Sequence, residues 1–401
     1  MMELLAPAGN FKKLLYAIHY GADAVYTAGK NFSLRAQSDN LSEKELKQAT
    51  EFCHSLHKKI YVAVNIFAHN SDLEDLPSYL EFLQKIKIDA IIISDPGIFL
   101  LSKKHAPEIP IHISTQANVT SWRSAEFWQN LGAKRIILAR ELTIAEIKKM
   151  RSKLPELELE IFVHGAMCMS YSGRCLLSSF LNKRSANRGN CTQSCRWKYN
   201  LVEETRPGEY FPIEEDKYGT YILNSKDLCL FDRLAEINRC GINSIKIEGR
   251  MKSVYYVANL TRTYKEALAF LEENKKIKGL NTLKKELDKI SHRVYTEAFF
   301  DEFDASSTQN YSTSSYIRKY QFIGEIIKTE KTFAFINCKG KINLNDEIEI
   351  IFPKRANDMD LKVENLFDEE GNPISFTKPN MIFKIDLKRE IPEFGIVRKK
   401  N

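Results

Sequence analysis

Glycine and proline are scarce, 17 and 12 of 401 residues, which excludes a collagen-like or low-complexity chain. No apolar run reaches the roughly 18 residues that a membrane-spanning helix needs. The longest candidate, near 90–101, is broken by Ser94, Asp95, Pro96 and Gly97. The N-terminus lacks the basic start and long apolar stretch of a secretion signal. No membrane partner is therefore expected, and a cytoplasmic location is. Gly-x-Gly-x-x-Gly, Gly-x-Ser-x-Gly and His-Glu-x-x-His are all missing, which removes the usual dinucleotide-binding, serine-hydrolase and zinc-peptidase signatures. A large charge excess is missing too: 59 Lys+Arg against 52 Asp+Glu leave +7. That balance is compatible with nucleic acid or anionic substrates and demands neither.

What is present is enough apolar material, 43% against 28% charged residues, to bury a sizeable core across two domains. Short apolar runs alternate with amphipathic helical stretches over the first 250 residues. The runs are Glu3–Ala6, Ala24–Thr27, Ile60–Asn65, Ala90–Ser94, Ile111–Thr115, Arg135–Ala139, Leu159–His164, Tyr221–Asn224 and Ser244–Glu248. Helical patterns cover Phe11–Tyr20, Ser42–Lys58, Asp75–Ile86, Ala125–Leu131, Thr143–Leu154 and Leu230–Asn238, and Ser42 and Thr143 each precede a Glu by three residues, a helix-start signal. Near-continuous apolar strands between helices predict a buried parallel sheet. Nine candidates fit an α/β, TIM-like (β/α)8 barrel with one extra strand better than an open sheet. The barrel domain is placed at 1–275.

In such a barrel the active site lies at the C-terminal ends of the strands. Polar residues collect at those ends: Thr115, Gln116 and Asn118, then Arg140 and Glu141, His164, the 224–227 segment, and Lys246, Glu248 and Arg250. The alternation stops at 167–220, an insertion after strand 7 too long for an ordinary loop and placed to cover the barrel mouth. A long helix, Tyr255–Glu273, leads to a helical and polar linker at 276–316, with lysines through 275–289. From 317 to 401 short alternating strands separated by turns predict a small antiparallel β-barrel.

The insertion holds the strongest chemical signal, Cys168, Cys175, Cys191 and Cys195, with Cys229 farther on. In a reducing compartment clustered cysteines bind metal or do redox chemistry more often than they form disulfides. Only Cys191 and Cys195 have zinc-knuckle spacing, and varied spacing suits an iron–sulfur cluster; spacing leaves both open. Arg174 to Lys198 carries six basic residues, Lys183, Arg184 and Arg188 among them, and no acidic one. The segment is either a solvated loop or a surface for RNA phosphates.

The stretch Glu160-Ile-Phe-Val-His-Gly165-Ala-Met-Cys168-Met-Ser-Tyr-Ser-Gly173-Arg-Cys175-Leu-Leu-Ser178 resembles the signature of the U32 peptidase family, the collagenase-like proteases. Asn190–Trp197, Leu223–Cys229, Ser244–Lys252, Glu3–Gly9 and Ser114–Asn118 extend the resemblance. Within that family the chain is most similar to the tRNA uridine hydroxylation branch. The resemblance implies a barrel, a [4Fe-4S] cluster and a small β-barrel similar to a translation-factor domain. It also implies formation of 5-hydroxyuridine at the wobble position of tRNA with prephenate as co-substrate. Its cluster ligands fall on Cys168, Cys175, Cys191 and Cys229, with Cys195 a fifth cysteine nearby. Two other functions compete: a collagenase-like peptidase, and a non-catalytic RNA-binding factor whose cluster is structural. A dianionic co-substrate needs fixed cations, for which Arg140, Arg250 and Lys246 are the candidates. His164 is the candidate for proton transfer, and an ion pair of Arg140 with Glu141 or Glu248 is the structural alternative for that arginine.

Overall fold

The computed structural model describes residues 2–33, 39–168, 170, 175, 177–184, 186–188, 190–192, 194, 215–216, 219–220, 225–273, 278–302, 308 and 316–401. Seven strands and six helices alternate first. They are β1 (Glu3–Pro7), α1 (Phe11–His19), β2 (Ala24–Thr27), α2 (Glu43–Ser55), β3 (Lys59–Ala63), α3 (Leu76–Lys85), β4 (Ala90–Ile93), α4 (Pro96–His105), β5 (Ile111–Ile113), α5 (Trp122–Asn130), β6 (Arg135–Ile137), α6 (Ile144–Lys153) and β7 (Glu158–Ala166). The insertion holds the short helix α7 (Leu177–Asn182) and a two-residue pair, β8 (Glu215–Asp216) with β9 (Gly219–Thr220). Then come β10 (Asp227–Cys229), α8 (Leu234–Arg239), β11 (Ser244–Ile247), α9 (Val254–Glu272), α10 (Lys278–Leu287) and β12 (Tyr295–Thr296).

Strands β1 to β7 pair in sequence order, all parallel, and β11 pairs in parallel with both β1 and β7, which closes an eight-stranded barrel. The expected TIM-like barrel is therefore present, with eight parallel strands. The run Tyr221–Asn224 lies outside the described residues. The strand that follows it, β10, runs antiparallel to the end of β7, setting Cys229 opposite His164. The predicted helix starts hold: the Ser42 and Thr143 side chains accept from the N–H groups of Glu45 and Glu146, whose carboxylates reach back. Helix α4 was read as a broken apolar run. Pro96 occupies its first turn, and the Asp95 carboxylate accepts from Gly97 and Ile98 N–H at 2.7 and 3.0 Å, so the apparent breakers start a helix. Within the stretch read as a linker, α10 packs on α9 and buries Leu283 and Leu287.

The C-terminal domain is an antiparallel half-barrel: β13 (Tyr320–Glu330), β14 (Phe333–Cys338), β15 (Glu347–Ile351), β16 (Met359–Lys362), β17 (Phe367–Asp368), β18 (Ile382–Asp386) and β19 (Ile396–Lys400). They order as β16-β15-β19-β13-β14-β18-β17, which puts β19 in the interior of the sheet. Its sequence, Ile-Val-Arg-Lys-Lys, hides that role behind charge.

Polar anchors fix this sheet on α1, α9 and α10. The Tyr20 hydroxyl lies 2.9 and 2.8 Å from the Ile351 and Phe394 carbonyls. Arg262 reaches the Phe352 carbonyl and Asp358, each at 2.7 Å. Arg398, only 2% exposed, binds Glu286 Oε2 at 2.8 Å, Glu349 Oε2 at 2.8 Å and Asn259 Oδ1 at 3.1 Å.

Candidate active site at the barrel mouth

The barrel interior is charged, which is unusual for a parallel-sheet core. Glu3, Arg135 and Glu158 open β1, β6 and β7. Arg135 Nη1 donates to Glu3 Oε1 at 2.6 Å and to Glu160 Oε2 at 3.0 Å, and Nη2 donates to Glu158 Oε2 at 2.7 Å. One layer higher, Lys246 Nζ lies 3.2 Å from Glu160 Oε1 and 4.3 Å from the centre of the Tyr26 ring. Burial lowers the Lys246 ammonium pKa, partly offset by Glu160 and Glu248. Burial also tends to raise the Glu3 carboxyl, but Arg135 outweighs it and the net shift is down. His112, edge-on to Tyr61, is held neutral by burial and by Arg135 and Lys246.

This stack leads up to the mouth. The Tyr26 hydroxyl lies 3.0 Å from the Ile247 carbonyl and 3.2 Å from Glu248 Oε2. Asn65 Nδ2 donates to Gln116 Oε1 at 2.9 Å. Arg140 lays its guanidinium 4.1 Å from the Phe162 ring centre and donates from Nη1 to the Ala166 carbonyl at 3.2 Å. Its Nε is buried without a hydrogen-bond partner among the described residues, and it borders a cavity of about 30 Å³ shared with Leu228 and Glu297. Among the described residues no ion pair joins Arg140 to Glu141 or Glu248.

The loop after β11 is held by backbone contact. Glu248 N–H donates to the His164 carbonyl at 2.8 Å. A Cβ on Gly165 (φ +118°) would fall 2.6 Å from the Glu248 carbonyl oxygen, and one on Gly9 would fall 2.1 Å from that of Arg250. Such approaches leave room only for glycine. Arg250, the other expected rim cation, is buried, with its carbonyl accepting from Lys13 Nζ at 3.1 Å.

His164 does not face the mouth. It sits among Tyr256, Tyr264 and Tyr295, with Nδ1 3.2 Å from the Tyr264 hydroxyl. Burial, aided by His292 and Lys252, lowers its pKa to about 3, so the imidazole is neutral at ordinary pH.

The described cysteines are free thiols. Cys168 follows the end of β7 by two residues, Cys229 ends β10 opposite His164, and Cys175 and Cys191 lie in the insertion. The Cys175 N–H donates to Asn187 Oδ1 at 3.0 Å, and Ser178 Oγ lies 4.0 Å from Cys191 Sγ. Burial pushes the Cys229 thiol up to about 11. Among the described residues no three Cys, His, Asp or Glu side chains gather as a metal site. Cys195 lies outside the described residues, as does Arg174. Lys183 and Arg184 are exposed at the end of α7, and neither pairs with a carboxylate among the described residues. Of Arg188 only the backbone is described.

Sequence reasoning missed Tyr26, Phe162 and Glu160 near the mouth, and Arg135 at the opposite, N-terminal end of the strands. Charged residues inside apolar strand patterns, as in Arg135-Ile-Ile and Glu158-Leu-Glu-Ile-Phe, were the available signal.

Comparison with known proteins places this geometry. The family model described as "Peptidase family U32" matches residues 9–310, and "Peptidase family U32 C-terminal domain" matches residues 318–398. A protein of Escherichia coli (strain K12) called tRNA hydroxylation protein P is 39% identical over 393 residues, covering 88% of this chain and 86% of that one. tRNA hydroxylation protein P1 of Bacillus subtilis (strain 168) is 35% identical, covering 99% and 94%. The Escherichia coli 23S rRNA 5-hydroxycytidine C2501 synthase is 30% identical, covering 91% of this chain and 56% of that protein. A solved U32 peptidase covers 62% of this chain and 94% of its own at 13% identity, with a TM-score of 0.40.

Proposed function

Because the chain belongs to peptidase family U32, we propose that it is a tRNA-modifying enzyme that hydroxylates the wobble uridine to 5-hydroxyuridine with prephenate as co-substrate. The observation that carries this is the match along both domains with relatives named for tRNA hydroxylation. One side chain at the mouth supports an anionic co-substrate. Arg140 has a buried Nε–H without a hydrogen-bond partner among the described residues and borders a small cavity, and a guanidinium binds a carboxylate through paired N–H groups. Tyr26, held against Glu248, and Lys246, charge-paired with Glu160, line the approach.

Cys168, Cys175, Cys191 and Cys229 would hold an iron–sulfur cluster. The donor set fits in chemistry: four free thiols, one just after β7, two in the insertion and one at the end of β10. Thiolate sites are assembled by the metal that they bind more often than they are preformed. When bound, such a cluster supplies one-electron chemistry. Lys183 and Arg184, exposed and without carboxylate partners among the described residues, would meet tRNA phosphates.

The peptidase alternative finds no nucleophile and base pair among the described residues. The histidine rings with hydrogen bonds pair with Asp89, Glu81, Tyr264 and the Arg293 carbonyl, none with a serine or cysteine. Mass analysis of tRNA nucleosides from cells lacking the chain is the test. Loss of 5-hydroxyuridine, restored by the parent chain, is the expected result; an unchanged level removes the proposal.

A further inference from the structure

A second concavity lies where the two domains meet. It is a cleft of about 680 Å³ walled by the β11–α9 loop and the first turn of α9 on one side and by β13 with its approach on the other. Its lining carries three cationic side chains, Lys252, Arg318 and Lys339, and no aspartate or glutamate. Between them stand Tyr316 and Tyr320, half-buried, and Tyr256 deeper in the wall. Arg318 and Lys339 are exposed.

These rings already engage cations. Lys252 Nζ lies 4.7 Å from the Tyr316 ring centre and 5.3 Å from that of Tyr256, and Lys289 Nζ lies 5.1 Å from that of Tyr320. The wall is also fixed. The Tyr256 hydroxyl lies 3.1 Å from the Glu248 carbonyl oxygen, which ties the cleft to the mouth loop, and Arg398 stands 5.4 Å from the Tyr320 ring centre. Lys252 lies only four residues along the chain from Glu248.

Basic side chains interleaved with aromatic rings in a groove form the recognition chemistry of unpaired nucleic acid. The cations track phosphates, and the rings take the faces of splayed bases. We infer that this interdomain cleft binds an unpaired segment of the RNA substrate, with Lys252, Arg318 and Lys339 on phosphates and a base against Tyr316 or Tyr320. The inference rests on tRNA being the substrate and adds where it is held. It assigns the C-terminal half-barrel a share of the RNA surface, separate from Lys183 and Arg184 of the insertion.

The test uses the full chain and an unmodified tRNA transcript in filter binding across a salt series. Arg318→Ala with Lys339→Ala should weaken binding about tenfold and reduce the slope of log K against log[salt] by about 1.4, since each single-strand phosphate contact contributes roughly 0.7. Tyr316→Leu should weaken binding about tenfold with the slope unchanged, because stacking releases no counterion. A short unpaired oligoribonucleotide should compete for the parent, and an RNA duplex of equal length should compete poorly. Thermal unfolding at the parent temperature keeps a folding defect from imitating either result. Unaltered affinity and slope in all variants, or competition by the duplex alone, overturns the cleft assignment while the tRNA reading stands. That reading fails on a different observation, unchanged 5-hydroxyuridine in cells lacking the chain.

Discussion

The Arg398 clamp gives a prediction whose size and pH dependence both follow from geometry. Glu286 is 8% exposed; its carboxylate meets Arg398 Nη1 at 2.8 Å and Lys289 Nζ at 3.1 Å, and Arg355 Nη1 lies at 3.8 Å. Burial works to raise its pKa, but Arg398 and Lys289 overcome that and hold the carboxyl at about 2 instead of 4.5. A difference of that size corresponds to roughly 3 kcal/mol of stability at neutral pH. For a lowered carboxyl, this stability is complete above the ordinary value and disappears as pH falls through the folded one. Glu286→Gln keeps the shape and one acceptor for Arg398 but removes the charge. We expect it to lower stability by about 2–3 kcal/mol at pH 7, a fall in the urea midpoint of about 1 M. The parent and variant curves should stay parallel above pH 5, approach one another below 4.5 and meet near pH 2. Urea unfolding followed by tyrosine and tryptophan fluorescence at each pH reads the difference directly. Equal midpoints at pH 7, or a gap that does not change between pH 7 and pH 3, would refute the role given to this carboxylate.

Three further outcomes are expected. Cys168→Ala, Cys175→Ala and Cys229→Ala should each abolish bound iron in anaerobically purified protein, whereas Cys53→Ala and Cys338→Ala, at buried sites away from the insertion, should retain it; equal iron in Cys175→Ala and parent would sink the ligand assignment, and loss on replacing Cys195 but not Cys191 would exchange those two. Arg140→Lys keeps the charge but loses the paired N–H groups, so nucleoside modification should fall on the order of tenfold, about one charge-assisted hydrogen bond; full activity removes Arg140 from the site. Gly165→Ala puts a methyl 2.6 Å from the Glu248 carbonyl oxygen at φ +118°, and should lower stability by about 2 kcal/mol or more; a midpoint equal to the parent's would show that the Glu248 loop moves without penalty.

The barrel was legible because its strands are short, mostly apolar runs between amphipathic helices, several of which start with side-chain caps. Ser42 and Thr143 lie where that chemistry requires. The apolar run near 90–101 is broken where expected, between β4 and α4, but the signal that marks the break has two meanings. Pro96 and Gly97 punctuate a chain as well at a helix start as at a break, and only the Asp95 side chain, accepting both N–H groups, decides between them. Strand β19 was missed for a tertiary reason. Arg398 is buried because Glu286, Asn259 and Glu349 converge on it from three elements, and none of those partners is near it in sequence.

The mouth shows the same division more sharply. The sequence put Arg140, Glu248, Lys246 and Arg250 at strand ends, and the barrel brings those ends together. Strand position alone did not distinguish a group that faces a cavity from one consumed by the core. His164 closes β7 as expected, yet its ring turns into a tyrosine cage and stays neutral to about pH 3. Lys246 is balanced by Glu160, which also holds Arg135. Arg140 instead has a buried Nε without a protein partner among the described residues. A buried N–H left unpaired costs on the order of 1–3 kcal/mol unless something supplies an acceptor. That orphan donor borders a small cavity at the strand ends of the barrel, a cavity whose lining includes Arg140 and neither Lys246 nor Arg250. Replacement of Arg140 by lysine therefore tests ligand recognition, while replacement of Lys246 would first disturb the interior charge stack that includes Glu3, Arg135 and Glu158.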